Sequence, residues 1–387
     1  MRAAKSSSGR YVEVISGPSL LDDLGADLDE LHEVTAAPIT ARRTWLSAWL
    51  GAFTEYTPRA VTVREGRHGP LDAVALLCSA DADGIIDVAG MGHGRNDRGR
   101  LSARSVEAAD ALAAGLVDFL DSLNAGWTLR VEQLPADDAV AERLVERLEV
   151  GFTVPGGPVP RIEFAEEIGH MEELIGRGLR KQLRRARSRM ETEGLDASLH
   201  FEVDPERIAT LIDEIEHTHR ARDHAVGRRS DIDAEPARQF WRDVIGRHAA
   251  RGEVEVATLR FGSELAAYVV SLLDGTSYRV LDGRFDTTWS RFSPGRIVET
   301  ATLEKAVADG RFSNLDWMNS VASEKLVAAN YFEATEHVIA CSRSLTGGLA
   351  LRELEAVLDE DVENQPTAKR ALTALLARVG AEREQNA

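Results

Sequence analysis

Two cysteines, Cys78 and Cys341, are all that 387 residues contain, too few for a disulfide framework or a four-cysteine metal site. Both stand in hydrophobic, strand-like runs, which predicts buried, inert thiols and a reducing, cytoplasmic setting. No run approaches the roughly 18 apolar residues that a membrane span needs. The first residues, MRAAKSSSGRYVEV, have no apolar segment behind their basic ones, unlike a signal peptide. Positive charge is in deficit: 46 Lys and Arg stand against 64 Asp and Glu, a net charge of −18. That balance excludes a protein that simply coats nucleic acid, because such binding draws on distributed cations. There is no G-x-S-x-G, so a serine held on a nucleophile elbow is excluded as well. Metal chemistry finds little support. His217 and His219 are two apart on a helical pattern, where paired ligands prefer a spacing of four, and no third ligand is evident.

The chain is long enough for two domains, and 43% hydrophobic with 28% charged residues is a globular composition. The first half reads as α/β. A strand at Tyr11–Ile15 precedes helices around Ser19–Val34 and at Trp45, Trp49 and Phe53, which share one face at i, i+4 and i+8. Strand-like runs at 59–64, 73–78 and 85–91 lead to the loop Gly92-His93-Gly94-Arg95-Asn96-Asp97-Arg98-Gly99. A helix over 105–123, a strand at 128–132 and a helix over 137–148 end at a Pro/Gly hinge, 154–160. The second half repeats this order. A basic helix spans roughly 171–193, and helices follow at 205–223 and 234–251. Strands at 254–261, 264–273 and 276–282 form a meander with Gly-containing turns. A helix at 294–308, a strand at 314–318, a short helix after Ser323 and a last strand at 334–341 complete it. Past Gly347-Gly348, two further helical patterns follow, 349–361 and 367–378.

Three local patterns carry chemistry. A strand (Tyr278, Val280, Leu281) leads through Ser293-Pro294-Gly295-Arg296 directly into a helix. Strand, glycine turn and helix start is how backbone builds an anion site, because the first turn's N–H groups lack partners. The basic helix has seven Lys or Arg from Arg177 to Arg189 and no acid, with Arg177, Arg180, Lys181 and Arg184 at i, i+3, i+4 and i+7. In so acidic a chain that clustering predicts an anionic ligand or a nucleic acid. Asp282 and Asp316 stand at or near strand ends, where a carboxylate can take a proton, and Lys325 offers a cation to a phosphate or an oxyanion. The His93–Arg98 loop, held between strands, is a candidate for ligand contact.

This layout resembles the GNAT superfamily in its tandem form, the FemAB-like and CelD-like acyltransferases. The resemblance covers about residues 10–345 and rests on local pieces of this chain. They are the aromatic helix Thr44-Trp45-Leu46-Ser47-Ala48-Trp49, the basic run Leu179–Arg187 ending at Glu193-Gly194, Phe292-Ser293-Pro294-Gly295-Arg296, and Leu315-Asp316 followed by Glu324-Lys325. It implies an α/β (α+β) chain of two GNAT-like domains, each a mixed sheet flanked by helices. The expected division is 1–165, a basic linker helix over 166–194, 195–345, and a helical appendage over 346–387. It implies an acyltransferase working by direct transfer to an amine or hydroxyl of a small molecule. Donor contacts would be Ser293, Gly295, Arg296, Arg180, Lys181, Arg184 and Arg185; acceptor contacts His93, Arg95, Asn96 and Asp97; and proton-transfer or charge-stabilising groups Asp316, Asp282 and Lys325. No metal or tightly bound cofactor is expected, only acyl-CoA or aminoacyl-tRNA as co-substrate, with tRNA a partner for the basic helix. A catalytically silent binding or scaffold protein is the remaining class.

Overall fold

A computed structural model describes residues 3–5, 10–82, 84–157, 159–164, 175–318 and 329–342. The chain divides into two units, residues 1–157 with 334–387, and residues 158–333.

The first unit runs β1 (Ala3–Lys5), β2 (Tyr11–Ser16), α1 (Leu20–Val34), α2 (Arg43–Ala52), β3 (Thr57–Arg64), β4 (Leu71–Ala82) and β5 (Ile85–Gly90). It continues through β6 (Ser102–Ala103), α3 (Val106–Asp121), β7 (Gly126–Pro135), α4 (Ala139–Arg147) and β8 (Gly151–Pro155). Apolar residues of α3 recur at helical spacing, Ala108, Ala111, Leu112, Leu116 and Phe119, and all are buried against Val61, Val63, Ala73 and Leu129 of the sheet. Gly115 lets that helix lie close, because a Cβ there would stand 2.5 Å from Val12 Cγ1. On α2, Trp45 and Trp49 are buried as their spacing predicts, together with Leu46, whereas Phe53 follows the helix as its cap and is half-buried.

The second unit runs β9 (Val159–Glu163), α5 (Arg177–Thr192), β10 (Ala197–Glu202), α6 (Pro205–Ala225), α7 (Glu235–Ala249), β11 (Val254–Phe261), β12 (Glu264–Asp274) and β13 (Ser277–Phe285). α8 (Pro294–Asp309), β14 (Asn314–Asp316) and β15 (Tyr331–Glu333) follow. The strand order is β10-β11-β12-β13-β14-β9-β15, antiparallel except for the parallel pair β13–β14. Alternation along the strands sorts the two faces. Ala257, Leu259, Ala267 and Val269 meet Met190 of α5 and Val298 of α8 on one face. Tyr268 faces α6 on the other, through Asp282 and His219.

The last strand departs from the expected division. β16 (Thr335–Cys341) pairs with β7 and β8 of the first sheet, not with the second, so the chain returns to its first unit after β15. Local pattern cannot register such long-range pairing, since an alternating strand fits the edge of either sheet. The hinge over 154–160 is likewise taken up by the ends of β8 and β9, and the basic helix belongs to the second unit. The short helix after Ser323 and the two C-terminal helical patterns lie outside the described residues.

Candidate active site

Helix α5 buries Leu183, Ala186 and Met190 in one stripe and turns its cations outward on both sides of it. One side meets the start of α8. Gly178, Lys181, Gln182, Arg185, Ala186 and Arg189 line a recess of about 190 Å³ there with Arg291 and Ser293. Arg291 is tied to Glu193 (2.5 Å), Arg189 donates to the Arg291 carbonyl, and Gln182 donates to Ser293 Oγ (3.1 Å). Ser293 holds the left-handed conformation (φ 53°, ψ 46°), an unfavourable state for a residue with a Cβ that recurs at functional sites. It makes no side-chain cap, Pro294 opens the helix, and the first turn has no acid. The helical ladder begins with the Ile297 N–H donating to the Ser293 carbonyl (3.2 Å), so the positive helix end faces the recess with no anionic group of the described residues bonded to it.

The first unit offers a control on this reading. Its α3 follows a strand and loop in the same way, but Ser105 caps the helix by accepting from the Ala108 N–H (3.1 Å), and Glu107 sits in the first turn. Its β5 pairs in parallel with β7 along almost its whole length, Ile85–Ala89 with Gly126–Arg130. In the second unit β13 pairs with β14 only over Ser277–Arg279. Among the described residues nothing pairs with the following stretch, Val280–Phe285, on that edge. An open strand edge and an uncapped, acid-free helix start thus occur together in the second unit.

A bulge in β13 shapes its other face. The register with β12 shifts between Val270 and Ser271, leaving Leu281 unpaired. Tyr278 packs with Leu303 and Ala306 of α8. Strict alternation from there would send Asp282 to the same side, but the extra residue turns Asp282 and Arg284 toward α6. There the Asp282 carboxylate accepts from His219 Nδ1 (2.9 Å), the Tyr268 hydroxyl (2.7 Å) and Arg284 Nη1 (2.9 Å). The other ring nitrogen, His219 Nε2, faces Asp231 (2.9 Å) and Asp223 (3.2 Å). With a carboxylate on each side the imidazole is doubly protonated. Burial lowers its pKa, but Asp282 and the bonds to Asp231 and Asp282 outweigh that and raise it to about 9. Burial likewise pushes the Asp282 carboxyl up, and His219 and Arg284 override it, holding the group near 2. His219, Asp223 and Asp231 bring ligand-type atoms within 4.8 Å of one another. Cations already occupy that charge, since Arg284 Nε (3.2 Å) and Arg228 Nη2 (2.5 Å) both bond Asp223.

The expected site residues fall into separate places. Ser293, Lys181 and Arg185 line the recess; Arg180 and Arg184 lie on the other flank of α5, and Arg296 pairs with Glu299 (3.3 Å). Gly295 has a packing reason of its own, because a Cβ there would stand 3.0 Å from Cδ1 of Phe285 at the end of β13. Asp316 is fully buried, accepts from Arg279 Nη1 and the Met318 N–H (2.7 Å), and pairs with Arg161 Nε (3.3 Å). It fixes the end of β14 and is not open to a substrate proton. Asp282 is as fully committed. Lys325 lies outside the described residues. In the first unit His93 sits edge-on to Trp49 and Tyr56 (ring centroids 5.7 and 4.9 Å), with Arg130 3.3 Å from its Nδ1, and Asn96 donates to the Met91 carbonyl (2.8 Å). Arg95 and Asp97 are half-buried in the same loop. The cluster around His219 escaped the sequence reading. Its one signal was His219 and Asp223 at i, i+4 on α6, and the bulge hid the other half.

Residues 177–326 match the family of acetyltransferase (GNAT) domains. The whole fold is similar to that of FemX, at 11% identity with a TM-score of 0.57, over 80% of this chain and 95% of that one. It is similar too to a conserved protein of unknown function from Bacteroides thetaiotaomicron, at 11% identity and a TM-score of 0.53, over 85% and 100% of the two chains. A third likeness is the C-terminal domain of a protein described as a lysylphosphatidylglycerol synthetase from Agrobacterium fabrum, at 11% identity and 0.51, over 88% and 97%. No curated protein matches the sequence. Residues 177–326 thus carry a GNAT-type domain, and the chain as a whole, two mixed sheets flanked by helices, has a fold similar to that of FemX.

Proposed function

We propose that this protein transfers an acyl group from acyl-CoA to an amine or hydroxyl of a small molecule, with the donor held by the second unit. The observation that carries the reading is the start of α8: uncapped, free of acid, and facing a recess lined by Lys181, Arg185, Arg189 and Arg291. Helix end and cations suit phosphate together. The open edge of β13, which ends on Gly295 through Phe285, offers backbone groups to an extended donor arm beside it. The acyl carbon is attacked directly by the acceptor; the proton leaves to solvent, because Asp282 and Asp316 are bound up with cations and serve to hold β13 and β14 in place. The loop of the first unit, His93, Arg95, Asn96 and Asp97, is proposed to contribute to acceptor binding. Lys325 keeps its proposed role of steadying charge on the donor. No metal takes part in this reading.

A second reading has a specific observation behind it. Arg177, Arg180, Arg184 and Arg187 run at spacings of 3, 4 and 3 along the flank of α5 that does not line the recess, and a stripe of that kind suits the phosphates of an aminoacyl-tRNA donor. Titration with a CoA thioester and separately with charged tRNA, across a range of salt, tests both. A CoA donor gives saturable binding with a shallow salt slope. Tight tRNA binding with a slope of roughly −0.7 log units or steeper per phosphate contact, and no thioester binding, replaces the first reading by the second.

A further inference from the structure

We propose that Arg284 is the residue that reads the acyl acceptor, and that the acceptor carries a carboxylate beside its amine. This rests on the acyl-transfer reading and names the substrate class within it. The two faces of the second sheet supply the first step. Donor cations lie on the α5 and α8 face, whereas Asp282 and Arg284 are turned to the α6 face by the bulge at Leu281. Both groups belong to the stretch of β13 whose outer edge is open among the described residues. An acceptor approaching from the α6 side therefore meets Arg284, a quarter of whose side chain is exposed, while Asp282 and His219 behind it are buried.

The hydrogen bonds of Arg284 show which of its atoms is offered. Nε donates to Asp223 (3.2 Å), and Nη1 donates to Asp282 (2.9 Å) and to the Gly283 carbonyl (3.0 Å). Nη2 lies 3.4 Å from His219 Nε2. That nitrogen carries a proton directed at Asp231 and Asp223, so it cannot also accept from a guanidinium. Among the described residues Nη2 thus keeps its N–H groups for a ligand. Two carboxylates fix the guanidinium plane, so Nη2 presents its N–H groups in a set direction, and a charge-assisted bond from it favours a carboxylate over a neutral group. The amine has a partner close by. Asp231 is 58% exposed in the loop between α6 and α7, and its bond to His219 is duplicated by Asp223 on the same nitrogen. It can turn to an ammonium group without leaving the imidazolium unpaired.

The step balances without a further reactant: the ammonium first gives one proton to solvent, the amine nitrogen then bonds to the acyl carbon, the carbon–sulfur bond breaks, and the second nitrogen proton passes to the departing thiolate. Arg284 holds the carboxylate and takes no part in the bond changes. The groups facing it are Asp223 and His219 of α6, Asp282 of β13, Tyr268 of β12, and Arg228 and Asp231 of the loop; from α7, Trp241 packs edge-on to His219 (6.1 Å).

The test uses the full chain, labelled at arginine and histidine, with glycine, acetate and glycinamide as probes. Glycine shifts the Arg284 Nε–H and His219 ring signals saturably, acetate does so more weakly, and glycinamide, which lacks the carboxylate, binds at least tenfold more weakly than glycine. Arg284→Lys, which keeps the charge and loses the fixed Nη2 donor, weakens glycine at least tenfold while CoA-thioester binding stays as in wild type. Equal binding of glycine and glycinamide overturns the proposal, and so does a folded Arg284→Lys protein that binds glycine normally. Thioester binding with no response to glycine or acetate overturns this inference alone; absence of thioester binding strikes the acyl-transfer reading itself.

Discussion

The charged cluster on α6 makes stability depend on pH in a direction opposite to the usual carboxylate case. His219 titrates near 6.5 in an unfolded chain and near 9 in the folded one. Between those values the folded protein holds a proton that the unfolded chain has lost. Stability from this group is therefore fully present below about pH 6.5 and falls as pH rises through 9. At about 1.4 kcal/mol per pH unit, a span of two to three units amounts to roughly 3 kcal/mol. Other groups titrate in the same range, so the quantity to measure is the difference between wild type and His219→Gln by urea unfolding from pH 6 to 9.5. The neutral amide keeps a donor for Asp282 but carries no titrating proton. The wild-type advantage should be largest at pH 6 and shrink by roughly 3 kcal/mol toward pH 9.5, with unchanged m-values. Parallel curves across that range would show that folding does not raise the pKa of His219, leaving it neutral above about pH 7, and the argument for a ligand-facing Arg284 Nη2 would fall with it.

Asp316→Asn leaves Arg279 and Arg161 short of a buried counter-charge and is expected to cost on the order of 3 kcal/mol in chemical unfolding, with donor affinity in the surviving folded fraction little changed. Gly295→Val pushes a branched side chain into the Phe285 ring, so it should cost on the order of 1–3 kcal/mol and weaken thioester binding together, as calorimetry and titration would show. Asp231→Asn, exposed and duplicated by Asp223, should change stability by less than about 1 kcal/mol, which thermal unfolding checks.

Periodicity identified most described strands and helices because their faces are ordinary: Trp45 and Trp49 on α2, and Ala108, Leu112 and Leu116 on α3, are buried as their spacing requires, while the third member of the α2 face, Phe53, lies past the helix end. What it missed depends on pairing between distant segments. β16 alternates like any edge strand, and only partner choice sends it to β7 and β8. Asp282 was legible as a charged residue near a strand end, but the bulge at Leu281 decides which helix it faces and hence that His219 is its partner. Asp316 was legible only as a carboxylate at a strand end, and the positions of Arg279 and Arg161 make it an ion-pair partner rather than a base. The helix start at Ser293 was legible because it is local chemistry: a small-residue turn, a proline and no acid.

The central claim is that donor phosphates lie in the recess between α5 and α8. Two paired variants test it most directly, Lys181→Ala/Arg185→Ala on the recess side and Arg184→Ala/Arg187→Ala on the far flank, each titrated with a CoA thioester. Charge-assisted bonds of about 1.5–3 kcal/mol each predict that the first pair loses at least tenfold in affinity and the second almost none. Equal affinity of the Lys181→Ala/Arg185→Ala protein and wild type, with the fold intact, would contradict the account.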